Sequence, residues 1–323
     1  MSIEPTLFVR VSSIETITKQ VKKFTLAPET GKKLPRFSGG AHVSTYLKTP
    51  SGLIVRQYSL VSHPDNRTNY EIAVRLSEKS KGGSLHWHQG MKVGDRLQIS
   101  YPKNHFSLSF KARHHVFYAA GIGITPFLSM MQDLSVQNQT FELHYASKSE
   151  ESCAFYPSIK KHYPNQSHFY FSDQQQRLQT TSLENHPIGT HVYFCGPEGF
   201  IEQFRTAAIE WGYPHSSVHF ERFSPPKPKV LKAFQVMIHN GVTINVSKTE
   251  TILEALHKHG IIAPYSCQIG RCGTCELSVL KGEVDHYDSF LIDEQKEANN
   301  CLIPCVSRAK SDKLVIEIKY YRR

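Results

Sequence analysis

Three of the seven cysteines of this 323-residue chain fall in one stretch, PYSCQIGRCGTC (Pro264–Cys275). The rest of the chain is too poor in cysteine for a disulfide scaffold. Thiols this close together serve as ligands or catalysts in a reducing compartment. Four residues separate Cys267 from Cys272 and two separate Cys272 from Cys275; Cys305 follows after twenty-nine more. The spacing C-x4-C-x2-C…C suits four thiolates around a [2Fe-2S] cluster. Gly270 and Gly273 would let the backbone wrap such a cluster and turn amide hydrogens toward its sulfurs. A structural zinc site usually takes two C-x2-C knuckles, and only one is present. Cys301 is the rival for the fourth ligand, with a poorer spacing. Cys153 reads as a small core residue, as Cys195 would on its own.

Hydrophobic residues make up 39% of the chain and charged residues 20%, the balance of a folded protein. MSIEPTLFVR lacks the apolar run of a secretory signal, so the expected location is the cytoplasm. The longest uncharged stretch, Val116–Gln132, is broken by Gly121, Gly123 and Pro126 and reads as a buried strand and helix, with no membrane association. The net charge of +10 is unevenly placed: residues 1–110 carry +9, residues 111–228 carry −1 and residues 229–323 carry +2. A basic segment attracts a phosphate-bearing cofactor or an acidic protein as readily as DNA. No recognition helix or stacking platform accompanies it, so no nucleic-acid partner is expected.

Three styles of sequence predict three domains. Residues 1–109 read as short strands (TLFVRV, HVSTYL, LQIS) punctuated by turn signals, with YEIAVRLS alternating Tyr70, Ile72, Val74 and Leu76 against Glu71, Ala73, Arg75 and Ser77; this predicts an antiparallel β-barrel. In residues 110–226 apolar runs (HVFYAAG, FELHYA, HFYFS, HVYFCG) alternate with helical stretches, the pattern of a parallel α/β sheet. One helix carries Phe200, Phe204, Ala207, Ala208 and Trp211 and ends at Gly212. After the Pro-rich connector SPPKPK (Ser224–Lys229), residues 227–323 read as an α+β unit with a Thr251/Glu254 capping box and a helix closed at Gly260. The eighteen histidines, HWH at His86–His88 among them, show no ligand spacing backed by carboxylates and are expected to be solvated or satisfied in the core.

Further motifs sharpen this reading. RQYSL (Arg56–Leu60) ends a barrel strand. About 25 residues on, KGGS (Lys81, Gly82, Gly83, Ser84) offers exposed amides and a charge, an anion-binding nest that could share a phosphate with the Arg56 guanidinium. GIGITP (Gly121–Pro126) follows a buried strand and opens a helix whose N-terminus suits a pyrophosphate, with Pro126 where no donor is needed. CGPEGF (Cys195–Phe200) forms a second glycine loop after another buried strand.

Together these residues and their order resemble the phthalate-dioxygenase-reductase type of flavin and iron–sulfur oxidoreductase, including the reductases of vanillate O-demethylase and carnitine monooxygenase systems. The resemblance runs along essentially the whole chain. It implies a flavin barrel, a nicotinamide α/β domain and a β-grasp ferredoxin domain, in that order, with FMN, NADH and a [2Fe-2S] cluster as cofactors. It implies that Arg56 takes the flavin phosphate, Tyr58 lies against the ring and Ser59 sits near its reactive nitrogen, with Gln57 between them also binding the cofactor. Ala73, Val74 and Arg75 would line the flavin edge, and Lys81 stands where the family commonly has arginine. Gly121, Gly123, Thr125 and Pro126 would hold the nucleotide, with Cys195, Gly196 and Pro197 under the nicotinamide and Phe223 covering the flavin. Asp173 would accept from the adenosine ribose and favour NADH, against a weaker pull from Lys148. Hydride from NADH would pass to the flavin, then singly through Cys267, Cys272, Cys275 and Cys305 to a Rieske-type oxygenase. The competing expectations are a free-standing diaphorase or ferredoxin reductase, and a zinc-stabilised binding module.

Overall fold

The computed structural model describes residues 5–49, 52–78, 80, 82–228 and 231–318. The chain divides into two compact units, one ending at Glu221 and the other beginning at Arg222.

The first unit opens with a six-stranded antiparallel sheet built from β1 (Thr6–Thr18), β2 (Val21–Pro28), β3 (His42–Thr49), β4 (Gly52–Ser59), β5 (Tyr70–Arg75) and β6 (Arg96–Ser100), in the order β4-β3-β6-β1-β2-β5. The edges β4 and β5 meet just past Ser59, where Leu60 bridges Ile72, so the sheet closes into the predicted barrel. Val9, Val11, Phe24, Leu26, Tyr70, Ile72, Val74 and Trp87 fill it. The alternation of YEIAVRLS holds for Tyr70, Ile72 and Val74, but Ala73 on the opposite face is also buried. At Ala73 that face is covered, since Ala73, Val21, Val61 and Phe106 join the core of the α/β layer, while Arg75 and Ser77 on the same face stay exposed. A short helix, α1 (Gly83–Leu85), runs into a π-turn over His86–Gly90.

The α/β layer has five parallel strands, β7 (His114–Ala120), β8 (Phe141–Ser147), β9 (Ser167–Phe171), β10 (Thr190–Cys195) and β11 (Val218–Glu221), ordered β11-β10-β7-β8-β9. Helices α2 (Thr125–Val136), α3 (Tyr156–His162) and α4 (Glu198–Glu210) connect them. Because helices cover the sheet, the interior of β7 and all of β10 are buried, which is why both read as unbroken apolar runs. Strand order reverses between β7 and β10. In an open α/β sheet the crevice at such a point receives the ligand.

The second unit holds β12 (Phe234–Ile238), β13 (Thr243–Val246), α5 (Ile252–Lys258), β14 (Leu277–Lys281), β15 (Val284–Asp285), α6 (Asp293–Ala298), β16 (Cys301–Leu302), β17 (Arg308–Ala309) and β18 (Lys313–Glu317). Its main sheet has the order β13-β12-β18-β14-β16, with β12 and β18 parallel. The α5 capping box forms as predicted: Thr251 Oγ1 accepts from Glu254 N at 3.1 Å, and Glu254 accepts from Thr251 N at 2.8 Å. Gly260, at φ +72°, follows the helix. Ser224–Pro228 of the connector carry no helix or strand; Lys229 lies outside the described residues.

Candidate cofactor sites

In the cysteine loop, Gly270 and Gly273 take φ of +77° and +67°, which only glycine adopts without strain. A β-carbon on Gly273 would stand 2.2 Å from the Phe290 ring, and one on Gly270 would stand 2.7 Å from Val306. The loop so held aims the amides of Ile269 and Arg271 at Cys267 Sγ, at 3.5 and 3.4 Å. The Cys267 thiol contacts those of Cys272 and Cys305, and Cys275 contacts Cys305. These neighbours and the two amides pull Cys267 far below the ordinary thiol value, toward the thiolate that binds metal. Among the described residues no group of three or more His, Cys, Asp or Glu is arranged to hold a single ion. The four thiols instead meet in a row, Cys272 with Cys267, Cys267 with Cys305 and Cys305 with Cys275, a set of four cysteine donors such as a [2Fe-2S] cluster takes. Cys301, paired through its backbone with Ser278, has no such part in the cluster of thiols.

In the barrel, Arg56 of β4 lies over Gly83 at the start of α1: a β-carbon there would stand 3.0 Å from the Arg56 Cγ and Nε. The structure therefore brings RQYS and the glycine pair together, with Gly82 at φ +90°. Ser84 accepts from Ser77 N at 3.2 Å and donates to Ser80 Oγ at 3.0 Å. Lys81 lies outside the described residues. Gln57 Nε2 is buried with no hydrogen-bond partner among them, a donor left over for another molecule. Tyr58 packs edge-on against Trp87 at 5.8 Å, and Ser59 is buried beside the β4–β5 seam. Ala73, Val74 and Arg75 lie on β5, across that seam; Val74 O contacts His88 Nε2 at 2.8 Å, and exposed Arg75 reaches Gln20.

At the switch point the glycine loops touch. GIGI (Gly121–Ile124) forms a single 3-10 turn before α2, with Pro126 in the first helical turn. A β-carbon on Gly123 would lie 2.1 Å from the carbonyl oxygen of Cys195, and one on Gly196 2.8 Å from Ala120 Cβ. Tyr145, buried on β8, donates to Gly121 O at 2.9 Å and pins the turn. Buried Thr125 closes it, donating to Ile122 O at 3.0 Å. Pro197 caps α4. Cys195 is fully buried at the end of β10, beside Ala119 and Glu221. Exposed Asp173 and Lys148 follow adjacent strands, Asp173 N donating to Lys148 O at 3.0 Å, so the two opposed charges share one sheet end. Phe223 belongs to the second unit and is 47% exposed.

Three of the histidines find a partner in one carboxylate, though not as a metal site among the described residues: Glu142 on β8 lies 3.0 Å from His144 and His168 and 4.0 Å from His114. They hold its carboxyl well below the usual range. Neighbouring strands bring them together, which linear spacing could not reveal. The contact of Tyr145 with the glycine turn is equally silent in the sequence, lacking any local motif.

A closed antiparallel barrel, a doubly wound sheet with glycine loops at its switch point and a thiol-lined loop in a small α+β unit define a modular flavin and iron–sulfur oxidoreductase. Family models agree along the chain: oxidoreductase FAD-binding domain over residues 8–108, dimethylamine monooxygenase subunit DmmA-like N-terminal domain over 99–218, and 2Fe-2S iron-sulfur cluster binding domain over 237–310. The chain is 41% identical to the carnitine monooxygenase reductase subunit of Escherichia coli K12, covering 96% of this chain and 98% of that one. It is 38% identical to the vanillate O-demethylase oxidoreductase of Acinetobacter baylyi, with the same coverage. The solved structure of phthalate dioxygenase reductase superposes with a TM-score of 0.75 at 30% identity, over 97% of this chain and 98% of that one. The chain belongs to this family of flavin and iron–sulfur reductases. Among the described residues no helix is long and apolar enough to cross a membrane.

Proposed function

We propose that this reductase takes electrons from NADH through FMN and a [2Fe-2S] cluster to a separate Rieske-type oxygenase. Two observations carry the reading: the contact of the Gly123 and Cys195 loops at the switch point, and the meeting of four thiols, Cys267, Cys272, Cys275 and Cys305. Bound flavin supplies the exchange between a two-electron donor and a one-electron acceptor. Arg56 and the Gly82–Gly83 amides hold the flavin phosphate, Gln57 donates to the cofactor, and Tyr58, Ser59, Ala73, Val74 and Arg75 border it, with Lys81 adding charge. Only seven residues separate Arg75 from Gly83, little room for an adenine-binding insert, which favours FMN over FAD.

The α2 N-terminus, with Gly121, Gly123, Thr125 and Pro126, receives the nucleotide's pyrophosphate, while Cys195, Gly196 and Pro197 form the floor under the nicotinamide. Asp173 accepts from the ribose and disfavours a 2′-phosphate. Cys267, Cys272, Cys275 and Cys305 bind the irons, and the Ile269 and Arg271 amides stabilise the charge on their sulfurs. The E. coli and A. baylyi relatives are named as parts of a carnitine monooxygenase and a vanillate O-demethylase, which supports an oxygenase as acceptor. Anaerobic titration of purified protein with NADH should bleach the flavin and then raise the paramagnetic signal of a reduced cluster; NADPH should do so much less well. A signal produced by dithionite but never by NADH overturns the proposed order of transfer.

A further inference from the structure

The α2 helix that starts at the nucleotide loop also grips the flavin barrel. Ser129, Gln132 and Asp133 fall at i, i+3 and i+4, on one face. Ser129 Oγ, fully buried, accepts from Gly40 N at 3.1 Å. The Asp133 carboxylate accepts closely from Gly39 N, and Gln132 Nε2 donates to Val61 O at 3.4 Å. Gly39 and Gly40 lead into β3, the strand hydrogen-bonded to β4; Val61 lies two residues beyond Ser59. The three contacts thus hold both the strand bearing RQYS and its neighbour. The approach is close enough to require glycine: a β-carbon on Gly39 would stand 2.7 Å from Met130 Cα, and one on Gly40 2.1 Å from Phe106 O. Burial raises the Asp133 carboxyl above its ordinary value, outweighing the Gly39 amide and the nearby His63, which lower it.

We propose that Asp133 and Ser129 are positioning residues for hydride transfer, latching the nucleotide-bearing helix to the Gly39–Gly40 turn and so fixing the nicotinamide against the flavin. The inference rests on the reading that GIGITP binds the nucleotide and RQYS the flavin. A hydride carries two electrons and one proton directly from nicotinamide to flavin; Asp133 and Ser129 form and break no bond in it. Its rate depends steeply on approach distance and angle, and a displacement of about 1 Å can cost about 100-fold.

The test uses full-length protein loaded with flavin and cluster. In Asp133→Ala, anaerobic rapid mixing with NADH should show flavin reduction slowed at least about tenfold, with the NADH dissociation constant within about threefold of wild type. Hydrogen exchange should show the Gly39 and Gly40 amides losing protection. Asp133→Asn keeps an acceptor oxygen and should recover most of both the rate and the protection. Should Asp133→Ala not fold, Ser129→Ala carries the same test through the Gly40 amide. A wild-type rate in the alanine variant, or a slowed rate with Gly39 and Gly40 still protected, overturns the latch. Failure of wild-type protein to reduce its flavin with NADH would instead overturn the functional reading, leaving exchange at Gly39 and Gly40 to report the contact alone.

Discussion

The cysteine loop and the nucleotide crevice are both built on glycines, but those glycines solve different problems. Gly270 and Gly273 bend one short loop so that backbone amides face a thiol within the same ten residues. Gly123 and Gly196 are needed because loops from β7 and β10, more than seventy residues apart, come within contact distance. The first site is a local loop completed by one distant thiol, Cys305, and the second is an assembly of distant parts throughout. A local site fails when its own residues change; an assembled one fails when either side moves.

The largest expected effect tests the local site. Cys305→Ser should abolish the paramagnetic signal of the reduced protein, because it removes a thiol that meets both Cys267 and Cys275. Cys301→Ser, four residues earlier in the chain but paired with β14, should leave that signal intact. A lost signal in the second variant and not the first would reassign the fourth ligand to Cys301. The assembled site is tested by Gly123→Val. Its β-carbon would need space occupied by the Cys195 carbonyl, so NADH-dependent flavin reduction should fall at least about 100-fold. Dithionite should still reduce the cluster normally, since the change lies in the other unit. A cluster lost along with nucleotide reduction would mean that the two sites are not independent.

Gly273→Ala sharpens the same contrast in stability. It combines a left-handed φ, costing about 1–2 kcal/mol, with overpacking against Phe290, costing about 1–3 kcal/mol. Cluster retention in urea should drop accordingly, and adding Phe290→Ala should restore only the packing part. Equal stability in the single variant would show that the loop is not held by these contacts.

The contrast also explains what can be read in advance. Cysteine spacing, the RQYS strand end, the KGGS turn and the Thr251 capping box are short motifs, so their chemistry shows in adjacent letters. Strand order, and with it the switch point, follows only loosely from alternating apolar runs. Ala73 reads as half of a polar face, because no local pattern says that a second layer covers the barrel there. The Glu142 histidines and the α2 latch depend on register between strands and on helix-to-barrel packing, which tertiary structure alone brings about.

The smallest effect concerns acid stability, and it falls in the assembled unit. His115, almost fully buried on β7, meets the Tyr193 hydroxyl at 3.2 Å. Burial first, then the nearby His191 and His114, lower its imidazole from 6.5 to about 4, against a rise from Gln139. Between those values the unfolded chain binds a proton that the folded chain refuses. Stability from this group is therefore complete above pH 6.5 and lost as pH falls toward 4, by up to roughly 3 kcal/mol. His219, stacked on Tyr193 and likewise lowered to about 4 by burial, adds in the same direction. His115→Leu should flatten the pH dependence of the unfolding midpoint of the first unit between pH 6.5 and 4, while the cluster unit's response stays as in wild type. An unchanged slope would show that His115 is protonated in the folded protein, and that the acid sensitivity of this layer arises elsewhere.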